Sequence, residues 1–401
     1  MAINIDRLME SIFTLGNIGF DEENGANRMA YSKFFFMGRD YVEELMKEAG
    51  LKVEIDKVGN LIGTLPAHSD ENKMEKIIAM GSHIDTVPNG GIYDGALGVL
   101  AGIEVIRSLR EEGYKNKHPL QVIAFNEEEG NVVGGTFGSK AFAGCKFEKS
   151  MVEPMNSQNI TEEDFDSCRK NGVDYLAYFE YHIEQGGILE AKRKTIGIVE
   201  GIFGIQRYTT KITGKANHAG STPMFLRNDA LETASRLIVD LMDTVRKTND
   251  TMVCTVGTLQ VKPGAVNVIP GEVEMVIELR DKSMTEMYRV VEQIKERWTD
   301  KGVEMERLII QPETPCDNRL KEILKECADQ LELDNIPIYS GAGHDVINTS
   351  MIIPSCLLFI PSRDGLSHHR NEFSSKEDIK AGGEVLLEAI KKVDGGKLNE
   401  N

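Results

Sequence analysis

No run of apolar residues in this chain approaches the roughly 18 that a membrane-spanning helix needs, so the 401-residue sequence predicts no membrane partner. It has no CxxC pair either. The six cysteines (Cys145, Cys168, Cys254, Cys316, Cys327, Cys356) are scattered, which fits reduced thiols rather than a disulfide framework or a cysteine zinc site. Basic clusters are missing beyond AKRK at 191–194, and the net charge is −18, which excludes nucleic acid as a partner. The opening MAINIDRLMESIF has acidic residues early and no apolar h-region, so it does not read as a signal peptide. Internal repeats are absent. The expected location is the cytoplasm. An acidic surface repels anions at long range, so an anionic substrate needs local positive groups, namely metals and arginines.

What is present is a small set of histidines in informative company. Of eight in the chain, five lie in acidic or glycine-rich surroundings: His83 in GSHIDTV, His182 in YHIEQGG, His218 in GKANHAGSTP, His344 in GAGHDV and His368 in GLSHHRNEF. Between the first two stand Asp94, in GGIYDGALGV, and the run Glu127, Glu128, Glu129. Neutral imidazole with carboxylate is the donor set of hydrolytic Zn²⁺ or Mn²⁺ sites. Each motif alone is weak; together they point to a paired-metal hydrolase.

The length exceeds what one hydrophobic core usually serves, so two domains are expected. In the first half, helical and strand patterns alternate. Lys76–Met80 reads as a buried strand delivering His83 at its C-terminal end, ALGVLAGIEVIRSLREEG as a helix stopped by Gly113, and Leu120–Phe125 as a strand followed by the acidic triplet. Ligands beyond the C-terminal edge of an α/β sheet are where such folds place their sites. From 205 to 316 the rhythm becomes β-α-β-β-α-β, the split βαβ, ferredoxin-like order. Because His182 precedes and His368 follows it, this segment reads as an insertion. The predicted fold is α/β, a catalytic domain (1–204 and 317–401) plus an inserted ferredoxin-like α+β domain (205–316); by resemblance to known hydrolases the first is zinc-peptidase-like with a mixed central sheet and the second a lid and dimerisation domain. The tail GGKLNEN is expected to fray.

These pieces resemble the dimetal aminoacylase and carboxypeptidase superfamily of hydrolases. More closely, they are similar to its hydantoinase–carbamoylase branch, which holds N-carbamoyl-L-amino-acid hydrolases, β-ureidopropionases and allantoate amidohydrolases. The resemblance covers nearly the whole chain and is carried by GSHIDTVPNGGIYDGALGVLAG, HIEQG, ANHAGSTPM, NVIPG, GAGHD and PSRDGLSH. It implies one metal held by His83 and His182, a second by Glu129 and His368, and Asp94 bridging the two. The ions would be Zn²⁺ or Mn²⁺, with Co²⁺ and Ni²⁺ also compatible. It further implies Glu128 as general base, Asp85 as the group orienting the His83 imidazole, and Glu127 as a merely solvated neighbour. The Asp94–Gly95 bond would be cis.

In the inserted domain the resemblance makes His218 the stabiliser of the oxyanion, reaching into the site of a partner subunit, and Arg280 with Asn267 the clasp on a substrate carboxylate. Gln185 and His344 match positions that bind the ureido end or the substrate carbonyl, and Gly341 a further substrate-binding position, with Gln206 and Arg227 as weaker candidates. Two places depart from the pattern: Asn131-Val132-Val133 replaces a Ser/Thr-Arg-Phe run, and His369-Arg370 replaces Asn-Pro. The implied protein is a homodimeric enzyme that hydrolyses the ureido C–N bond of a small carboxylate. An N-carbamoyl-L-amino acid comes first and allantoate second. A metallo-dipeptidase or aminopeptidase, and a catalytically silent binding protein, are the readings from other classes.

Overall fold

Four parallel strands at the centre of a nine-stranded sheet set the geometry of the molecule. In the computed structural model, which describes residues 2–68 and 76–399, the chain divides into two units, Met1–Gly201 with Pro315–Asn401, and Ile202–Thr314. In the first unit the parallel strands lie in the order Ser355–Ile360, Tyr175–Ile183, Ile77–His83, Leu120–Phe125. Antiparallel strands flank them, Ile196–Ile202 on one side and Leu61–Leu65 then Lys52–Ile55 on the other, so the sheet is mixed. The central strands are buried along almost their whole length, as expected when helices cover both faces.

The helix Ala96–Glu111 lies close against this sheet because two glycines let it. A Cβ on Gly98 would meet the Tyr181 carbonyl oxygen at 2.5 Å, and one on Gly102 would meet Met80 Cγ at 2.9 Å. Nearly every residue of that helix is buried, an apolar all-round pattern that matches a core helix. Its N-terminus therefore sits just past the C-terminal end of the His83 strand. The long helix Lys376–Asp394 follows the loop that leaves the strand Ser355–Ile360. In the tail, Lys397–Asn399 forms a 3₁₀ turn with Leu398 buried, and residues 400 and 401, to which the expected fraying extends, lie outside the described residues.

The second unit is a four-stranded antiparallel sheet with strand order Val253–Lys262, Glu272–Asp281, Gly204–Thr213, Val303–Gln311. Helices Ala230–Thr248 and Met284–Trp298 cover one face, with Tyr208, Ile212, Leu237, Leu241, Met275, Ile277 and Ile294 in the shared core. The alternating burial of Glu272–Asp281 leaves Glu278 and Arg280 on the opposite face. No helix among the described residues is long and apolar enough to cross a membrane.

Candidate active site

All four parallel strands feed one place. His83 ends its strand, His182 is the penultimate residue of the next, the acidic triplet follows Phe125, and His368 lies on the loop after Ile360. Asp94 stands between the His83 strand and the helix Ala96–Glu111, where Gly95, at φ +64°, makes the turn. A Cβ on Gly95 would fall 2.4 Å from the His83 ring, so only glycine permits this approach.

The donors form two groups that share Asp94. His83, Asp94 and His182 offer ligand atoms within 4.8 Å of one another, and so do Asp94, Glu129 and His368. Asp94 Oδ1 faces His182 Nε2 at 3.2 Å and His83 Nε2 at 3.5 Å, while Oδ2 lies 3.5 Å from His368 Nε2. Glu129 Oε2 is 3.4 Å from His368 Nε2, and Glu128 Oε2 is 3.7 Å from His83 Nε2.

Both buried imidazoles are oriented by backbone carbonyls, which can only accept. His83 Nδ1 donates to Asp85 O at 3.1 Å, and His182 Nδ1 to Ile183 O at 2.9 Å. In the neutral ring this leaves each Nε2 as a bare lone pair directed at a carboxylate. His182 Nε2 also accepts the Gly95 N–H at 2.9 Å. Lone pairs and carboxylate oxygens converging in a buried space repel one another unless a cation lies between them. Imidazole and carboxylate are also a donor set suited to hydrolytic divalent ions, so these residues fit a pair of them. The titration tendencies agree. Burial alone would depress His83, yet the facing Glu128 and Asp94 hold it well up. Burial, with the repulsion of neighbouring carboxylates, pushes Glu128 and Glu129 well above the ordinary range. Burial would also raise Asp94, but His182 and His83 outweigh it and hold Asp94 well below.

The supporting groups differ in part from expectation. The Asp85 carboxylate accepts from the backbone N–H groups of Glu128 (3.3 Å) and Glu129 (3.1 Å); the His83 ring bonds the Asp85 carbonyl at 3.1 Å, with Oδ1 of the carboxylate 3.6 Å from the same nitrogen. Asp85 thus fastens the strand end of His83 to the acidic loop. Arg28, fully buried, donates Nε to Ile84 O at 2.7 Å between those two residues; burial draws its guanidinium down to about 10. Glu127 is not solvated. It is completely buried, and its Oε1 accepts the N–H groups of Val132, Val133 (2.8 Å) and Gly134, closing the loop that follows. This also accounts for Asn131-Val132-Val133: Asn131 Nδ2 donates to Thr86 O at 3.1 Å, and Val133 packs with Phe137 in a small core. The Asp94–Gly95 bond is not cis; among the described residues the cis bond is Lys262–Pro263, and the left-handed Gly95 supplies the turn instead.

Gln185 donates Nε2 to Asp94 Oδ2 at 2.7 Å and to Ser367 Oγ at 3.2 Å, so it grips the shared carboxylate. His344 is buried, bonds Ser340 Oγ through Nε2 at 3.0 Å and stacks edge-on to His182 with centroids 4.7 Å apart. Burial and the neighbouring His182 keep its pKa well below the usual value, and it is neutral. Gly341 opens onto free space: a Cβ there would meet nothing within 4 Å. His369 accepts the Asn371 N–H, and Arg370 donates to the carbonyls of Glu22 and Glu23, so both serve the loop. Three site residues, Glu127, Gln185 and His368, hold positive φ of 58°, 56° and 53°. Such backbone costs about 1–3 kcal/mol each and gathers at functional sites.

Buried acids that no motif marked include Glu180 and Glu372. Glu180 accepts from Ser82 Oγ (2.8 Å) and Val346 N (3.0 Å), and burial pushes it up to about 7. Glu372 accepts from Tyr93 N (2.9 Å) and Asp94 N (3.0 Å). Glu180, two residues before His182 on an otherwise apolar strand, was a readable signal; Glu372 was hidden in the quoted GLSHHRNEF.

In the second unit His218 and Asn267 are neighbours: Ala219 N donates to Asn267 O at 2.9 Å, and His218 bridges Val268. His218 Nδ1 accepts from Gly220 N (3.0 Å) and Ser221 N (3.2 Å), which fixes the proton on Nε2 and makes that atom a donor. Arg227 donates to the carbonyls of Ala219 and Thr222 rather than to Asp229, which caps the helix Ala230–Thr248. Gln206 is buried between Met284 O and Tyr208 Oη. Arg280 Nε donates to Glu278 Oε1 at 2.8 Å, and Arg207 Nε to Glu278 Oε2 at 2.7 Å.

Known proteins match this arrangement along its full length. An N-carbamoyl-L-amino acid amidohydrolase of Geobacillus stearothermophilus is 36% identical, over 96% of this chain and 97% of its own. An allantoate amidohydrolase of Bacillus subtilis is 34% identical, over 94% and 95%. A crystal structure of a hydantoinase/carbamoylase family amidase from Burkholderia multivorans superposes with a TM-score of 0.86 at 31% identity, covering 97% of both chains. The sequence pattern of peptidase family M20/M25/M40 matches residues 79–392, a span that takes in all five residues of the two donor groups, and the chain belongs to that family.

Proposed function

We propose that the protein is a dimetal amidohydrolase that cleaves the ureido C–N bond of an N-carbamoyl-L-amino acid, consuming one water and releasing the amino acid, CO₂ and ammonia. The observation that carries this reading is Asp94, whose two oxygens face separate donor groups, with Glu128 beside them. Its curated relatives named for N-carbamoyl-L-amino acids support the substrate class. Two divalent cations, Zn²⁺ or Mn²⁺ with Co²⁺ or Ni²⁺ also compatible, supply a water of lowered pKa and a polarised substrate carbonyl when bound. His83, His182 and Asp94 would hold one; Asp94, Glu129 and His368 the other.

The remaining work falls to this chain's own side chains. Glu128, its carboxylate 3.7 Å from His83 Nε2 beside the donor groups, takes a proton from water and passes it to the leaving nitrogen. Asp85 keeps Glu128 and Glu129 in place through their backbone N–H groups. His218, a donor at Nε2, serves the oxyanion; Arg280 and Asn267 hold the substrate carboxylate; Gln185 and His344 receive the ureido end or the substrate carbonyl, and Gly341 lines the substrate site. A homodimer joined through the inserted unit suits the edge strand Val253–Lys262, which carries exposed Val253 and Leu259. Six free cysteines support a cytoplasmic location.

Allantoate hydrolysis is the second reading, favoured by the Bacillus subtilis relative. Ammonia release from an N-carbamoyl-L-amino acid and from allantoate, at matched concentration with metal-replete protein, decides between them; inactivity on both overturns the proposal. A dipeptidase would instead turn over a dipeptide panel.

A further inference from the structure

The two donor groups are not supported alike. His83 and His182 stand on neighbouring strands of the buried sheet, paired through backbone ladders. His368 lies on the loop 361–374, half exposed, with its backbone in the left-handed region. That loop is closed at its neck by Arg363 N to Phe373 O (2.9 Å) and Ser374 Oγ to Pro361 O (2.7 Å). It is tied to the donor groups by Ser367, which bonds Asp94 Oδ2 and accepts from Gln185, and by the buried Glu372. One carboxylate oxygen accepts the backbone N–H groups of both Tyr93 and Asp94; the other lies 3.2 Å from Ser367 Oγ, which itself reaches Asp94 Oδ2 at 2.7 Å. Glu372 is 5% exposed, and the chain is cut back to admit it: a Cβ on Gly91 would fall 2.2 Å from Glu372 Oε1.

We propose that Glu372 is a positioning residue that locks the Asp94 turn to the His368 loop and so sets the affinity of the second cation, the one assigned to Asp94, Glu129 and His368. The inference rests on the dimetal reading above. A carboxylate that accepts two successive backbone N–H groups fixes the peptide carrying Asp94, and through Ser367 it fixes where Oδ2 points. Partners behind metal ligands change metal affinity by about 10- to 100-fold. The first cation shares Asp94 but draws its other two ligands, His83 and His182, from the sheet, whereas the second depends on the loop through both Asp94 and His368.

The test is metal binding, read by chelator competition and elemental analysis and, with Co²⁺, by visible absorption, on metal-free wild type, Glu372→Ala and Glu372→Gln whose folding is verified by circular dichroism. Wild type takes up two equivalents; if it does not, the dimetal reading fails and the comparison goes no further. With two bound, Glu372→Ala keeps the first equivalent and binds the second at least about tenfold more weakly. Glu372→Gln, whose amide oxygen still accepts both N–H groups, recovers most of that loss. Should Glu372→Ala not fold, Gly91→Ala displaces the same carboxylate and produces the same unequal weakening. Wild-type binding of both equivalents in the folded variant, or equal weakening of both, overturns the inference.

Discussion

His182 presents Nε2 to Asp94 Oδ1 at 3.2 Å while its Nδ1 is committed to the Ile183 carbonyl. A neutral ring so held can offer Asp94 only a lone pair; at His83, 3.5 Å from the same oxygen, the facing carboxylates favour a positive charge. Two like electron pairs do not converge in a buried space without a positive charge to share.

Chelation therefore acts on stability as well as on activity. EDTA should abolish turnover and lower the melting temperature, and Mn²⁺, Co²⁺ or Zn²⁺ should restore both. Ions present at about 100 times their dissociation constant add about 2.7 kcal/mol. Calorimetry with and without chelator measures it; an unchanged melting temperature counts against a bound cation.

Glu128→Gln should cut kcat by about 10²- to 10⁴-fold, the range for a lost general base. Both metal equivalents should remain. Elemental analysis is the check, since metal loss would make Glu128 a ligand instead.

His218→Ala should lower kcat by about 10²- to 10³-fold, as for a lost oxyanion donor, with metal content unchanged. Mixing it with Glu128→Gln tests whether the histidine serves a partner. Verified mixed dimers that regain activity place it there; verified mixed dimers without recovery place it in its own subunit.

Glu278, in the second unit, gives a pH signature of its own. Burial would raise its pKa, but hydrogen bonds from Arg280 and Arg207 outweigh that and lower it. Its stabilisation is thus complete above its unfolded pKa near 4.3 and fades as pH falls through the lower folded value. Glu278→Gln should cost roughly 1 kcal/mol at pH 7, a figure reduced for solvent screening. In urea titrations its gap from wild type should narrow below about pH 4; a gap that widens there reverses the sign and refutes the assignment.

Gly95→Ala should destabilise by roughly 2–4 kcal/mol, since it combines a positive φ with a collision against His83. Wild-type urea unfolding in this variant would mean that His83 can retreat at little cost.

Much of this was legible in the sequence because periodicity and chemistry coincide. The apolar run before His83, the helix after Asp94 and the strand before the acidic triplet each have one dominant pattern, and all three form as expected. Elements of the inserted segment, such as Met284–Trp298, are equally regular. What stayed hidden has no periodic signal. Glu127 looks like any acid beside two others; only the fold reveals three backbone N–H groups aimed at it. Glu372 acts on Tyr93 and Asp94 from 279 and 278 residues away, and no local pattern records such a partner. A turn can be made by a cis bond or by a left-handed glycine, and the letters Asp-Gly allow either.

The strand Ser355–Ile360 sits between Tyr175–Ile183 and Ile196–Ile202, although well over a hundred residues separate it from both. On the ribosome, the interrupting segment Ile202–Thr314 is therefore complete before the sheet around it can close. A nascent chain released before that late strand emerges has a gap in the middle of its main sheet and lacks His368, so premature termination leaves an exposed, sticky edge rather than a weaker enzyme.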